Sequence, residues 1–202
     1  MVRGLDSQSK ARYRLRNVQD YFYLNQSGCF EVDDVDDAEE FQTVLAAMQQ
    51  LNFAQPEIDS IFTLCSGVLH LGNLSFVATG DRKCTLQNKN VLGEVSAMLQ
   101  VSPQQLEQVT TTRKMVVSGQ APITIGLGDS EARAARDALA KFIYEKLFDW
   151  LVARINESIG RGSNDQNVRT IGILDIFGLV ALVYICKLAT WCNALVPFHP
   201  SR

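Results

Sequence analysis

DSEARAARDALAKFIYEKLFDWLVARINESI (129–159) runs without glycine or proline from a good N-cap pair, Asp129 and Ser130, to the glycines at 160 and 162. At the helical rise this predicts an element roughly 43 Å long over 130–159, the longest of the chain. Leu139, Phe142, Ile143, Leu147, Trp150, Leu151 and Ile155 form a broad apolar stripe expected to face inward. Arg133, Arg136, Lys141, Glu145 and Asp149 alternate in sign and are expected outside that stripe. Glu145 and Asp149 repel at i, i+4, so the helix depends on packing against other elements.

Beyond the loop GRGSNDQN lies VRTIGILDIFG (168–178), a continuous β-rich run of the kind that forms a strand buried on both faces of a parallel or mixed sheet. Asp175 is out of character in such a core strand. A carboxylate at the carboxyl edge of a central strand, three residues before a glycine, is where phosphate-binding α/β folds place a Mg²⁺-shell acid and a γ-phosphate-sensing amide. The D-x-x-G pattern alone is a weak signal. On the other side of the long helix, KMVVSGQAPITI (114–125) places two β-rich runs around Ser118-Gly119-Gln120, which predicts a hairpin with a short exposed turn, the one clear hairpin of the chain.

Further toward the N-terminus the pattern is helical. Ser102-Pro103 sets an N-cap and first turn for a helix carrying Leu106 and Val109, and a short helix at about 91–100 turns Val91, Leu92, Val95 and Leu99 inward. Residues 74–90 hold a short strand candidate, LSFV, and a polar loop. Pro56 suits a first helical position, and Ile58, Ile61, Phe62, Cys65, Val68 and Leu69 continue to Gly72, expected just past the helix end. That helix is apolar nearly all round and therefore buried. His70, near its end with no second histidine close by, reads as a satisfied structural residue. The acidic run EVDDVDDAEE (31–40) supplies N-cap aspartates, with Glu39 and Glu40 in a first turn, to a helix with Phe41, Val44, Leu45, Met48 and Leu51 on one face. It lacks the glycine and distal glutamate of a calcium-binding loop at the required offsets.

The 202 residues suffice for one large domain, and 47% hydrophobic with 20% charged residues excludes collagen-like and disordered chains. A net charge of −3 removes the footprint of non-specific binding to nucleic acid or anionic membranes. Five cysteines without a CxxC pair and only two histidines argue against a disulfide framework or a zinc site, and for a reducing compartment. The basic N-terminus has no apolar core behind it, so synthesis in the cytosol without export is expected.

Four stretches, YFYLNQSGCFEVDDVDDAEEF (21–41), IFTLCSGVLHLGNLSF (61–76), ARDALAKFIYEKLFDWLVARINESI (135–159) and IGILDIFG (171–178), resemble successive landmarks of the myosin motor domain, in order and at matching separations. The resemblance covers roughly residues 4–178 and implies a fold that is mixed α/β and predominantly α-helical. It would be part of the P-loop-NTPase-type motor, with one hairpin and one strand of the central sheet. It divides the chain into 1–178, a partial motor domain running from beyond switch I to the start of switch II, and 179–202, a tail foreign to the fold.

By the same resemblance Asp175 would support the Mg²⁺ shell of ATP through water, without direct metal ligation, and Gly178 would give its amide to the γ-phosphate. Only glycine lets a backbone amide approach a phosphate so closely. The hairpin, with Arg113, Lys114, Ser118, Gly119, Gln120 and Ala121, would face the actin filament, and Ala121 stands near a position that many myosins fill with an acidic or phosphorylatable residue. The implied partners are actin filaments and the rest of the motor, in the cytoplasm and its cytoskeleton, with no nucleic acid.

The departures are as informative. No G-x-x-x-x-G-K-[ST] occurs, the switch I signature is absent, and Leu179-Val180 stand where the family continues Phe-Glu. The chain is therefore expected to be a motor fragment, from a partial gene model or truncated transcript, that does not bind or hydrolyse ATP alone. The alternative is a non-catalytic actin-interaction module or interfering short form. A membrane anchor over 176–198 is disfavoured, since Lys187 sits at its centre and the uninterrupted apolar run from Ile176 to Cys186 is too short to cross.

Overall fold

The computed structural model describes residues 1–80, 83–116, 119 and 121–160. Among the described residues, six helices, one 3₁₀ turn and two short hairpins follow one another in the order α1 (Ser7–Arg12), the turn Val18–Asp20, α2 (Asp37–Gln50), α3 (Gln55–Gly72), β1 (Phe76–Gly80), β2 (Lys83–Leu86), α4 (Lys89–Leu99), α5 (Pro103–Thr111), β3 (Thr112–Met115), β4 (Ile123–Gly126) and α6 (Asp129–Gly160). The mixed, mainly helical class expected from the sequence is what the chain adopts. The expected central-sheet strand at 170–176 lies outside the described residues.

The helix starts follow their capping chemistry. Asp36 caps α2, its carboxylate accepting from the amides of Ala38 and Glu39 at 2.8 and 3.2 Å. Ser102 caps α5, its hydroxyl accepting from the Gln105 amide at 3.1 Å, with Pro103 at the first helical position. Ahead of α6, the Gly128 amide donates to Glu131 at 3.1 Å, and the helix then runs 32 residues, about 48 Å.

Two apolar clusters hold these elements. The first joins Leu71 and Leu74 to Phe76 and Leu86 of the β1–β2 hairpin, Val91, Leu92 and Val95 of α4, Leu106 of α5, and Leu127, Ala132 and Ala140 leading into and along α6. The second gathers Tyr13, Phe41 of α2, Phe53 between α2 and α3, Ile58, Ile61 and Phe62 of α3, and Leu147 of α6. The long helix therefore belongs to both cores, and α3 lies against it between them.

Four expectations need correction. The described residues hold two hairpins, not one: 76–86, read as a strand and a loop, pairs antiparallel with Phe76 opposite Leu86. Its signal was weak because a bulge between Ala78 and Gly80 breaks the ladder and only the end residues Phe76 and Leu86 are buried. Arg136, expected on the outer face of α6, is 5% exposed, for reasons given below. Phe142 and Trp150 of the inward stripe are instead 56% and 42% exposed, and Val109 of α5 is exposed as well. The stripe is wider than the surface that α3 and α5 present to it. Lastly, Gly72 ends α3 from within and Asn73 caps it; glycine is needed because a Cβ there would stand 2.7 Å from the Tyr23 ring.

Candidate functional site

The β3–β4 hairpin grows directly out of α5. A run of three threonines makes the transition: the Thr110, Thr111 and Thr112 hydroxyls donate back to the carbonyls of Leu106, Glu107 and Gln108 at 2.9, 2.7 and 2.7 Å. The Gln108 carbonyl also accepts from the Thr112 amide, so these hydroxyls add second bonds to carbonyls near the helix end, while the β-branched residues favour the extended backbone that follows. The Leu127 amide donates to the Thr111 carbonyl at 2.8 Å, and the Leu127 side chain is buried, so the base of the hairpin is locked between α5 and the start of α6.

From that base the strands pair Thr112 with Gly126, Arg113 with Ile125, Lys114 with Thr124 and Met115 with Ile123. Arg113, Lys114, Met115, Val116 and Ile123 are exposed. Neighbouring strand residues point to opposite faces, so Arg113 and Lys114 set a positive charge on each side of the ribbon. Gly119 lies in the turn with φ of +79°, a left-handed conformation that favours glycine, and Ala121 is exposed just before β4. Of the residues singled out from the sequence, the structure thus joins Arg113, Lys114, Gly119 and Ala121 in one hairpin. Ser118, Gln120, Asp175 and Gly178 lie outside the described residues. Sequence reasoning overlooked the apolar part of the tip, Met115, Val116 and Ile123; the run Lys-Met-Val-Val was its visible trace.

A second polar constellation orients the long helix that leads away from the hairpin. Arg136 donates through one terminal nitrogen to the carbonyls of Gly72 and Leu74, both at 2.9 Å, and through Nε to Asp137 at 2.8 Å. Its guanidinium lies 4.8 Å from the centre of the Phe22 ring. Asp137 in turn accepts from the Tyr23 hydroxyl at 2.6 Å, and burial together with that carboxylate pushes the Tyr23 phenol well above its ordinary range. Arg136 thus holds the end of α3 and the entry to β1 against α6. It was misplaced from the sequence because its partners are carbonyls more than sixty residues away.

The described residues contain no group of three or more His, Cys, Asp and Glu side chains that could hold a metal ion, and none of their helices is long and apolar enough to cross a membrane.

A helical frame carrying two short hairpins is matched by one protein family. The family model for the myosin head (motor domain) matches residues 1–183, and so runs past Gly178. Among individual proteins, the myosin-I heavy chain of Dictyostelium discoideum is 36% identical over 182 residues, 88% of this chain and 8% of that protein. The high molecular weight form of myosin-1 from Acanthamoeba castellanii is 40% identical over 167 residues, 79% of this chain and 10% of its own length. Myosin-16 of Arabidopsis thaliana is 39% identical over 171 residues, 83% of this chain and 14% of that protein. The chain belongs to the myosin motor-domain family, and it spans about a tenth of the length of these curated relatives.

Proposed function

We propose that this chain is part of an actin-based, ATP-hydrolysing cytoskeletal motor, and that the β3–β4 hairpin is its filament-facing element. The observation that carries the reading is the hairpin itself: a rigid base anchored by Leu127, a charge on each face, and exposed Met115, Val116 and Ile123 toward the tip. An acidic filament attracts Arg113 and Lys114, and the apolar tip supplies area that does not depend on salt. One hairpin falls far short of the area of a stable interface, so binding by this chain alone is weak and salt-sensitive.

In the same reading Asp175 and Gly178 are the nucleotide-side residues, the first in the Mg²⁺ shell through water and the second at the γ-phosphate. Bound ATP and Mg²⁺ would supply the phosphoryl group and its charge neutralisation. The phosphate-cradling loop has no counterpart among the 202 residues, and Leu179-Val180 replace the Phe-Glu that would close the site, so the chain alone turns over no ATP. It then acts as an actin-interaction module, with the remainder of the motor as its natural partner and the cytoskeleton as its place. Residues 179–202 have no part in this activity.

Cosedimentation with filaments across a salt series tests the hairpin. Weak binding at low salt, lost as salt rises and lost with Lys114→Glu, is expected; tight binding indifferent to both would overturn it. Phosphate release from ATP, with and without filaments, tests the second claim. Turnover by the purified chain that Asp175→Ala abolishes would show the nucleotide site to be complete.

A further inference from the structure

The segment around α1 gathers cations about a small pocket. Arg3, Lys10 and Arg16 line a cavity of about 210 Å³, together with Glu31 and the apolar side chains of Val18 and Phe30. The fold pins both arginines. Arg3 donates to the Phe30 carbonyl and to the Glu31 carboxylate, each at 2.7 Å, with Asp37 a further 3.5 Å ion-pair partner. Arg16 spends one terminal nitrogen on Glu94 at 2.6 Å, and its amide donates to the Tyr21 hydroxyl at 2.8 Å. Neither guanidinium is free to swing away.

Lys10 is the cation without a counter-charge. Its backbone is locked on both sides, the amide donating to the Asp6 carbonyl at 2.9 Å and the carbonyl accepting from the Leu15 amide at 2.8 Å. Its side chain is half-buried against the pocket and pairs with no carboxylate among the described residues. The nearby acids are already engaged. Asp6 accepts from the amide and the hydroxyl of Ser9, both at 2.9 Å, while Glu31 and Asp37 lie on Arg3. Three cations therefore face a concave space in which the one lining carboxylate is taken, and such a cleft focuses a positive field.

We propose that this pocket binds the phosphate monoester of a small organic group, with Lys10, Arg16 and Arg3 on the phosphate and Phe30 and Val18 against the organic part. The donor set selects the anion. Planar guanidiniums match the oxygens of a phosphate, and an ammonium adds a compact charge with three donors. Size selects the ester. A dry cavity of roughly 150 Å³ takes a benzene-sized molecule, so the space here holds a phosphate and one small group beside it. It falls below the roughly 300–1,000 Å³ of sites for drug-sized ligands, which excludes a nucleotide. The inference goes beyond the motor reading and does not rest on it.

Calorimetric titration of the full chain with phenyl phosphate at low salt should show saturable binding of one ligand per chain. Inorganic phosphate, which leaves the apolar wall bare, should bind about tenfold more weakly. Affinity should fall as pH drops through about 6, where the phosphate regains its second proton. Lys10→Gln should weaken phenyl phosphate by about tenfold or more, the effect of one hydrogen bond to a charged group. Its thermal midpoint should match the parent's, because the ammonium holds nothing in the free chain. Lys141→Gln removes the same charge from the exposed face of α6 and should keep the parent's affinity. Absence of saturable binding, equal affinity for inorganic phosphate, or equal losses in Lys10→Gln and Lys141→Gln overturns the proposal.

Discussion

The two hairpins place their apolar pairs at opposite ends. In β1–β2 the apolar cross-strand pair, Phe76 with Leu86, sits at the closed base, both residues buried in the first core. Asn88 ties that base, accepting from the Ser75 amide at 3.0 Å and donating to the Asn73 carbonyl at 2.8 Å. In β3–β4 the apolar pair, Met115 with Ile123, sits toward the tip, and both are more than 40% exposed. An apolar pair at the base anchors a hairpin to its own domain, whereas one at the tip leaves area for another molecule.

Alanine at the two pairs should break this symmetry most plainly. Phe76→Ala opens a cavity in the first core and should lower unfolding stability by about 3–5 kcal/mol. Ile123→Ala removes a side chain that is already wet, and should shift stability by no more than about 0.5 kcal/mol. Urea denaturation followed by circular dichroism reads both. Equal losses at the two positions would mean that the β3–β4 tip is packed against something in the free chain.

Arg136 comes next, because it tethers only one of the hairpins. Arg136→Met keeps much of the side-chain volume but leaves the Gly72 and Leu74 carbonyls without their donor. The expected loss is roughly 1.5–3 kcal/mol, the range for hydrogen bonds made by a charged group. Hydrogen exchange should quicken in β1 and at the end of α3, and stay unchanged in β3–β4, which is anchored through Leu127. Uniform quickening would place the guanidinium in a global rather than local role.

Most of the helices were legible in the sequence because capping is local: Asp36, Ser102 and Pro56 act within a turn of where they stand. The β3–β4 hairpin was legible for the same reason, although its strands begin at Thr112, two residues before the apolar run suggests. What stayed hidden depends on distant partners. Helical periodicity assigns Arg136 to the outside, since nothing near it reveals two carbonyls waiting at the end of α3. The pairing of Phe76 with Leu86 is hidden by the bulge between them. His70, read as a satisfied structural residue, is buried, but its bare Nδ1 facing Glu94 is a property of three elements meeting and has no signature along the chain.

Removing the α5 cap is a milder test of what holds β3–β4. Ser102→Ala loses the hydrogen bond to the Gln105 amide and should cost about 1 kcal/mol. Because α5 passes straight into β3, the fraying should reach the start of the hairpin, where the Leu127 amide is held by Thr111. Faster exchange at the Leu127 amide in Ser102→Ala, with the Ser75 to Asn88 bonds of the other hairpin unaffected, would show that each hairpin is secured separately.

The smallest effect on stability should separate structure from function most sharply. Lys114 is exposed and faces Thr124 across the ribbon, so Lys114→Glu removes no buried contact, and its unfolding free energy should stay within about 0.5 kcal/mol of the parent. Filament binding should respond quite differently, because reversing a charge that meets an acidic surface replaces attraction with repulsion. The matching control is Lys141→Glu on the exposed face of α6, which makes the same change in net charge away from the hairpin. If long-range steering by net charge governed the encounter, the two variants would weaken cosedimentation equally. If the hairpin is the contact, Lys114→Glu alone abolishes binding at low salt, and Lys141→Glu retains it with the parent's salt dependence.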